Sequence, residues 1–368
     1  MQKIRLKKQK KSIDRRLLIF VLILSGLGLL FIADASAPQA LNNFSDQFYF
    51  VKQQAVWGFL GIILLFVASR IHYSFWEKMA VPIFAVGVVI LALVLLPSVG
   101  VKTLGARRWL FIGSISLQPS EFIKLALAMY LAKAIAKKKS TLAYFLPLLL
   151  VAGLIIAQPD FGTMIVVSGI GLAQIFISGI KLIPLVGTLL VGGALSLLAI
   201  LTSDYRKQRV LTYFELTKDP LGSAYHIRQI LLALGSGGLL GVGLGQSRQK
   251  YLFLPEAATD SIFAVIAEEV GFIGASVIII IFAMLIYRGF KIAKGAPDTF
   301  SQVLAVGITT WIGGQAFLNI AAMTAILPLT GIPFPFFSYG GSALTMVLFA
   351  TGILLNISKY ETKDKTRR

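Results

Sequence analysis

Two sets of residues in this chain have the types and the spacing that chemistry needs. One is Pro255-Glu256-Ala257-Ala258-Thr259-Asp260-Ser261, an acidic junction that ends a glycine-rich stretch and leads straight into the apolar run from Ile262 to Ala267. The other is Glu121 and Lys124, three residues apart in a mostly apolar segment and so on one face of a helix. A carboxylate at the mouth of an apolar helix can take a proton from an attacking hydroxyl, and a lysine in an apolar setting can stabilise a departing anion. Each set also has a plainer use. Thr259 and Asp260 would serve equally as a helix cap, with the helix dipole favouring the ionised carboxylate, and Glu121 and Lys124 would serve as a mutual ion pair. The chain has no cysteine, which removes disulfides, thiolate metal sites and cysteine nucleophiles, and its two histidines are too few for a multi-His metal site. Chemistry is left to carboxylates, Lys, Arg and hydroxyls.

The elements that must position these groups are membrane helices. The 368 residues are 57% hydrophobic and 14% charged, with a mean hydropathy of +0.81, too apolar for a surface that faces water throughout. The basic start from Met1 to Arg16, the apolar run from Leu17 to Ala33 and the small residues Ala35-Ser36-Ala37 imitate a cleavable secretory signal. Pro38 would begin the new N-terminus, the run is nearly long enough to span, and many spans follow, so the segment is read as the first transmembrane helix. Windows of spanning length recur at 17–34, 53–70, 79–97, 119–136, 141–158, 162–180, 182–202, 261–287, 299–326 and 339–358. The expected fold is an all-α polytopic membrane protein with ten transmembrane helices. It divides into a basic cytoplasmic tail (1–16), helices one to seven (17–202), a large structured extracytoplasmic loop (203–260), helices eight to ten (261–358) and a cytoplasmic tail (359–368).

Charge placement orients this plan. With both termini inside, 23 of the 35 Lys and Arg residues fall on cytoplasmic segments and 11 outside, with Lys124 within a span, as the positive-inside rule requires. The net charge of +19 is then largely a topological device, and no nucleic-acid partner is expected. The outside cations concentrate at Arg107-Arg108-Trp109 and in the long loop, at Arg206-Lys207-Gln208-Arg209 and Arg248-Gln249-Lys250. They suit either anionic lipid head groups or a phosphate-bearing substrate; Arg107-Arg108-Trp109 would also serve as an interfacial anchor. Residues Tyr225 to Leu240 have the apolar spacing of an interfacial or re-entrant helix, with His226 expected as a structural hydrogen-bonder. The glycines from Gly235 to Gly245 allow close backbone approach, but no Gly-Lys-Ser/Thr follows, so this is not a nucleotide P-loop. Pro333, Pro335 and Gly340-Gly341 read as a rigid turn, and Gln315 and Asn319 as interhelical hydrogen-bond glue.

Together the runs Gly235-Ser236-Gly237-Gly238, Gly241 to Leu254, Pro255 to Phe263, Glu268-Glu269-Val270-Gly271-Phe272 and Pro333 to Ser342 resemble the SEDS family (shape, elongation, division and sporulation) over nearly the whole chain. The Gln249-Lys250-Tyr251-Leu252-Phe253-Leu254-Pro255-Glu256-Ala257 context and the closing Leu354-Leu355-Asn356-Ile357-Ser358 resemble the division branch more than the elongation branch; Ala258 departs from it, where many division members carry His. The resemblance implies a peptidoglycan glycosyltransferase of the bacterial cytoplasmic membrane, acting at the division site, that polymerises lipid II into β-1,4 glycan strands. It places the family's functional acid on Asp260 and the family's Glu/Lys pair on Glu121 and Lys124. It also implies a class B penicillin-binding protein of the FtsI kind as partner, with other division membrane proteins.

Joined to the residues, this gives an inverting reaction with Asp260 as general base. Lys124, close to Asp260, would keep it ionised and, with Arg107, Arg108, Arg248 and Lys250, face the pyrophosphate. No cofactor is required; a divalent cation, Mg or Mn, is compatible with the chemistry, though no ligand cluster demands one. A lipid II flippase, a non-enzymatic division scaffold and an elongation-type polymerase stay open as other readings.

Overall fold

Local signals set where several helices begin. Asp14 accepts from Leu17 N at 3.0 Å, Asp160 from Thr163 N at 3.1 Å, and Asp298 forms a reciprocal capping box with Ser301, each answering backbone N–H groups that a helix start leaves orphaned. Pro119 stands at the first position of its helix, where its missing N–H costs nothing. The computed structural model describes residues 12–103, 106–113, 115–180, 224–251 and 253–362, with Gly187 and Gly193. The expected span at 182–202 and the cluster Arg206-Lys207-Gln208-Arg209 lie outside the described residues.

Among those residues there are ten α-helices: α1 (Arg15–Phe44), α2 (Tyr49–Arg70), α3 (Tyr73–Leu93), α4 (Pro119–Ala136), α5 (Leu142–Ala157), α6 (Phe161–Ile177), α7 (Tyr225–Gly237), α8 (Ile262–Lys294), α9 (Thr299–Met323) and α10 (Gly341–Ser358). Six of them, α1, α2, α3, α8, α9 and α10, are long and apolar enough to cross a membrane; α5 and α6 are apolar but shorter. The polytopic reading stands. The most apolar stretch of α10 is 78% buried and that of α2 only 17%. α9 packs on α4, α6 and α8, and α10 on α2, so α4, α9 and α10 form the centre and the apolar outer faces of α1 to α3 are left for lipid.

Three expectations need correction. The fold is not all-α: β1 (Val101–Thr103), β2 (Ala106–Ile112) and β3 (Ile115–Leu117) form an antiparallel sheet in the order β1-β2-β3. The β-branched Val101 opposite the aromatic Trp109 suits a pleated surface, and successive residues Arg107 and Arg108 point to opposite faces. α1 runs through Pro38 to Phe44 instead of ending near residue 34. The eighth span is not continuous: Gly271, at φ 67° and ψ −173°, breaks α8 into a buried first segment and a long second one. Segment 238–243 closes the break. Val242 N donates to Glu268 O, Gly243 N to Glu269 O, Phe272 N to Gly238 O and Ile273 N to Leu239 O, which satisfies backbone groups that hydrocarbon could not.

The helices leave two polar ends. At one, Asp14 N bonds Ser358 Oγ at 3.0 Å, Arg288 pairs with Asp14, and Tyr73 donates to Asp298 at 2.6 Å. At the other, reached by the far ends of α3 and α9, Gln158 donates to Leu91 O at 3.0 Å and Asn319 to Asp260 O at 2.8 Å.

Candidate functional site

The second polar end holds the candidate site. Asp260 is the half-buried last residue but one before α8. Ser261 is the N-cap residue of α8, and its own side chain makes no capping bond. The turn is held by four hydrogen bonds from three elements. Asn319 on α9 donates to Asp260 O at 2.8 Å, Ser338 Oγ donates to Thr259 O, Tyr339 N donates to Ala258 O at 2.8 Å, and His226 on α7 bonds Ser261 Oγ at 2.8 Å. Ser338 in turn accepts from Phe334 N at 2.7 Å, so the Pro333-to-Gly340 turn acts as a brace for the Asp260 turn. Gly331 lies in front of the carboxylate. Its φ is +67°, and a Cβ there would stand 3.3 Å from Asp260 Oδ2. Sequence reading passed over Gly331, because nothing local marks it as a neighbour of Asp260.

Glu121 and Lys124 do form an ion pair, at 2.8 Å, with 1% and 2% of the two side chains exposed. The lysine's second bond is to Gln315 Oε1 at 2.8 Å, and its ammonium lies 4.9 Å from the centre of the Trp311 ring. Trp311 Nε1 also donates to Gln315 Oε1 at 2.8 Å. Trp311, Gln315 and Asn319 thus form a polar ladder along one face of α9, each one turn from the next. Gln315 reaches Pro333 O at 2.9 Å, and Asn319 reaches Ile332 O and Asp260 O, each at 2.8 Å. The expectation that Lys124 sits on Asp260 is therefore refined. Lys124 meets the rung at Gln315 and Asp260 the rung at Asn319, about one helical pitch (~5.4 Å) apart along α9. Two of the three ammonium N–H groups are engaged and one remains.

The expected pyrophosphate cations separate into two kinds. Arg108 spans the α5–α6 turn: its Nε donates to Gln158 O at 3.2 Å, its terminal nitrogen donates to Pro159 O, and Nε lies 4.0 Å from Asp160 Oδ2. That turn abuts the 330–332 segment, since a Cβ on Gly162 would stand 2.7 Å from Thr330 O, so Arg108 is committed structurally to a turn that lies beside the segment leading into the Asp260 brace. Arg107, on the other face of β2, is half-exposed, and Arg248 is exposed with its backbone N bonded to Glu268 at 3.2 Å. Lys250 is corrected. It is buried, with Nζ 2.7 Å from Asp34 Oδ1 and 3.0 Å from Glu269 Oε1, and does not face solvent or a head group. Burial pulls its pKa down, but the two carboxyl groups outweigh that and hold it above the ordinary lysine value. Among the described residues no group of three or more His, Asp or Glu side chains has metal-holding geometry.

A family model described as "Cell cycle protein", that of FtsW, RodA and SpoVE, matches residues 15–363. The chain is 41% identical over 360 residues to stage V sporulation protein E of Bacillus subtilis, covering 96% of this chain and 98% of that protein. It is 40% identical over 353 residues to the probable peptidoglycan glycosyltransferase FtsW of Trichlorobacter lovleyi, with 94% and 93% covered. Among solved structures, RodA of Thermus thermophilus is similar at 27% identity and a TM-score of 0.71, with 96% and 99% covered. A chain of a peptidoglycan synthase complex, described for its coordination of polymerization and crosslinking, is similar at 27% identity and a TM-score of 0.76, with the same coverage.

Proposed function

The chain belongs to the FtsW, RodA and SpoVE family, the SEDS family, and from that premise we propose that it is a peptidoglycan glycosyltransferase of the FtsW kind that polymerises lipid II. One observation carries the reading: the Asp260 turn is braced by α7, α9 and the Phe334–Tyr339 turn, with Gly331 set against its carboxylate. In this reading Asp260 takes the proton of an acceptor sugar's 4-hydroxyl as that oxygen bonds to the donor's anomeric carbon. The carbon–oxygen bond to undecaprenyl pyrophosphate breaks, the leaving group departs with the electron pair, and attack opposite an α-linked leaving group yields a β-linked chain. The remaining N–H of Lys124 and the guanidinium groups of Arg107 and Arg248 meet the pyrophosphate charge, with Arg108 holding the floor beneath them.

The membrane plan that suits this chemistry has ten spans and both termini in the cytoplasm, with Asp260 at the outer head-group level of the bacterial cytoplasmic membrane. A class B penicillin-binding protein of the FtsI kind is the proposed partner, supported by the likeness to a peptidoglycan synthase complex. The test is purified protein with that partner and fluorescent lipid II in detergent, resolved on a gel. Detergent removes any need for flipping, so glycan ladders identify a polymerase, and lipid II left unextended at every partner ratio would favour a flippase or a scaffold.

A further inference from the structure

The proposed reaction leaves unused a second buried ionic cluster, built where α1, α7, α8 and the loop between α7 and α8 meet. Lys250 faces Asp34 from α1 and Glu269 from α8, as above, and Glu268 stands beside them. Glu268 is well provided for as a carboxylate: Oε1 accepts from Ser236 Oγ at 3.2 Å and Arg248 N at 3.2 Å, and Oε2 accepts from Ser247 Oγ. Glu269 Oε1 accepts from Lys250 Nζ and from Ser247 N at 3.2 Å. That leaves two oxygens, Asp34 Oδ2 and Glu269 Oε2. Both are buried and neither has a hydrogen-bond donor, and the carboxyl groups that carry them are drawn together on the one Lys250 ammonium. One ammonium cannot neutralise both of its carboxylates, and two carboxylates whose free oxygens are both buried repel strongly. A proton on either oxygen turns that repulsion into a hydrogen bond.

We propose that Asp34 and Glu269 bind one proton between Oδ2 and Oε2, and that this proton seats the 241–261 loop, whose end carries Asp260. The loop has few other anchors on this side. Val242 and Gly243 bond the carbonyls of Glu268 and Glu269, and Ser247, Arg248 and Lys250 bond their carboxyl groups, so the loop's fit to α8 depends on the charge state there. Among the described residues, the charged groups facing the pair are Lys250 from the loop and Glu268 from α8, while α7 contributes the Ser236 hydroxyl. Asp34 and Glu269 are then positioning residues. Their consequence for turnover rests on the reading of Asp260 as the base; their proton does not.

The test uses the full chain in lipid nanodiscs. Infrared difference spectra in H2O and D2O should show the carbonyl stretch of a protonated, exchangeable carboxyl group in the parent protein. Asp34→Asn and Glu269→Gln should each abolish it, because one remaining carboxylate is neutralised by Lys250. Asp34, with 27% of its side chain exposed, is the milder site and stands alone if Glu269→Gln fails to insert. Hydrogen exchange of peptides from 241–261, corrected for intrinsic rates, should lose protection as pH rises in the parent protein and become pH-independent in Glu269→Gln or Asp34→Asn. No protonated-carboxyl band in the parent protein, or a band that survives both substitutions, overturns the shared proton. The same pH-dependent exchange in parent and variants overturns the seating role. Asp260→Asn should leave band and protection in place; if it also still makes glycan, the base assignment fails and the proton assignment does not.

Discussion

The place of Asp260 at the start of α8 was legible because its signal is local: a carboxylate at an apolar helix start needs no distant partner to be noticed. Gly331 was not, and it yields a sharp expectation. A methyl group there would meet the Asp260 carboxylate at 3.3 Å and force an L residue to φ +67°, a conformation that costs about 1–2 kcal/mol outside glycine. Gly331→Ala should therefore lower glycan synthesis well beyond its modest effect on thermal stability; wild-type turnover would show that the space before the carboxylate is not used. The Glu121–Lys124 pair was legible from its spacing, but its tie to Gln315, 191 residues away, was not. Lys124→Ala strands a buried carboxylate and should cost about 3–5 kcal/mol. The double change Glu121→Gln with Lys124→Met should recover most of that loss in thermal unfolding while remaining slow in synthesis. Recovery of both would make the pair scaffold only. Lys250 misled for the same reason of distance: a loop lysine reads as a head-group contact until Asp34, 216 residues earlier, is seen beneath it.

At the scale of elements, hydropathy found the apolar windows because spanning length and composition alone define them. It could not find the break in α8, since a glycine inside an apolar run is ordinary, and the reason for it is tertiary. Gly271 takes a conformation almost closed to other residues, and a Cβ on it would stand 2.2 Å from Gly241 N. Gly271→Ala should destabilise the protein by several kcal/mol, on the order of strain plus overpacking, and unfolding midpoints in detergent would reveal it; an unchanged midpoint would mean the break is dispensable. The three-stranded sheet escaped notice because its outer strands are three residues long, too short for alternation to register.

Across the whole molecule, the polar contacts gather at two ends, with Asp14, Arg288 and Ser358 at one and Asp260, Asn319 and Gln158 at the other. The cysteine-free chain lets single cysteines report which end faces the cytoplasm. In intact cells Asn43→Cys and Ser98→Cys should react with an impermeant maleimide, and Ser140→Cys and Ala296→Cys should stay protected until the membrane is opened. The reverse pattern would invert the proposed orientation and remove Asp260 from the outer surface.

The most direct test of the central claim is lipid II polymerisation by purified Asp260→Asn beside the parent protein, each with its partner transpeptidase and each shown to be folded by thermal unfolding. Loss of a general base predicts a fall of about 100-fold or more, leaving no visible glycan ladder. A ladder of parental length made at the parental rate would contradict it.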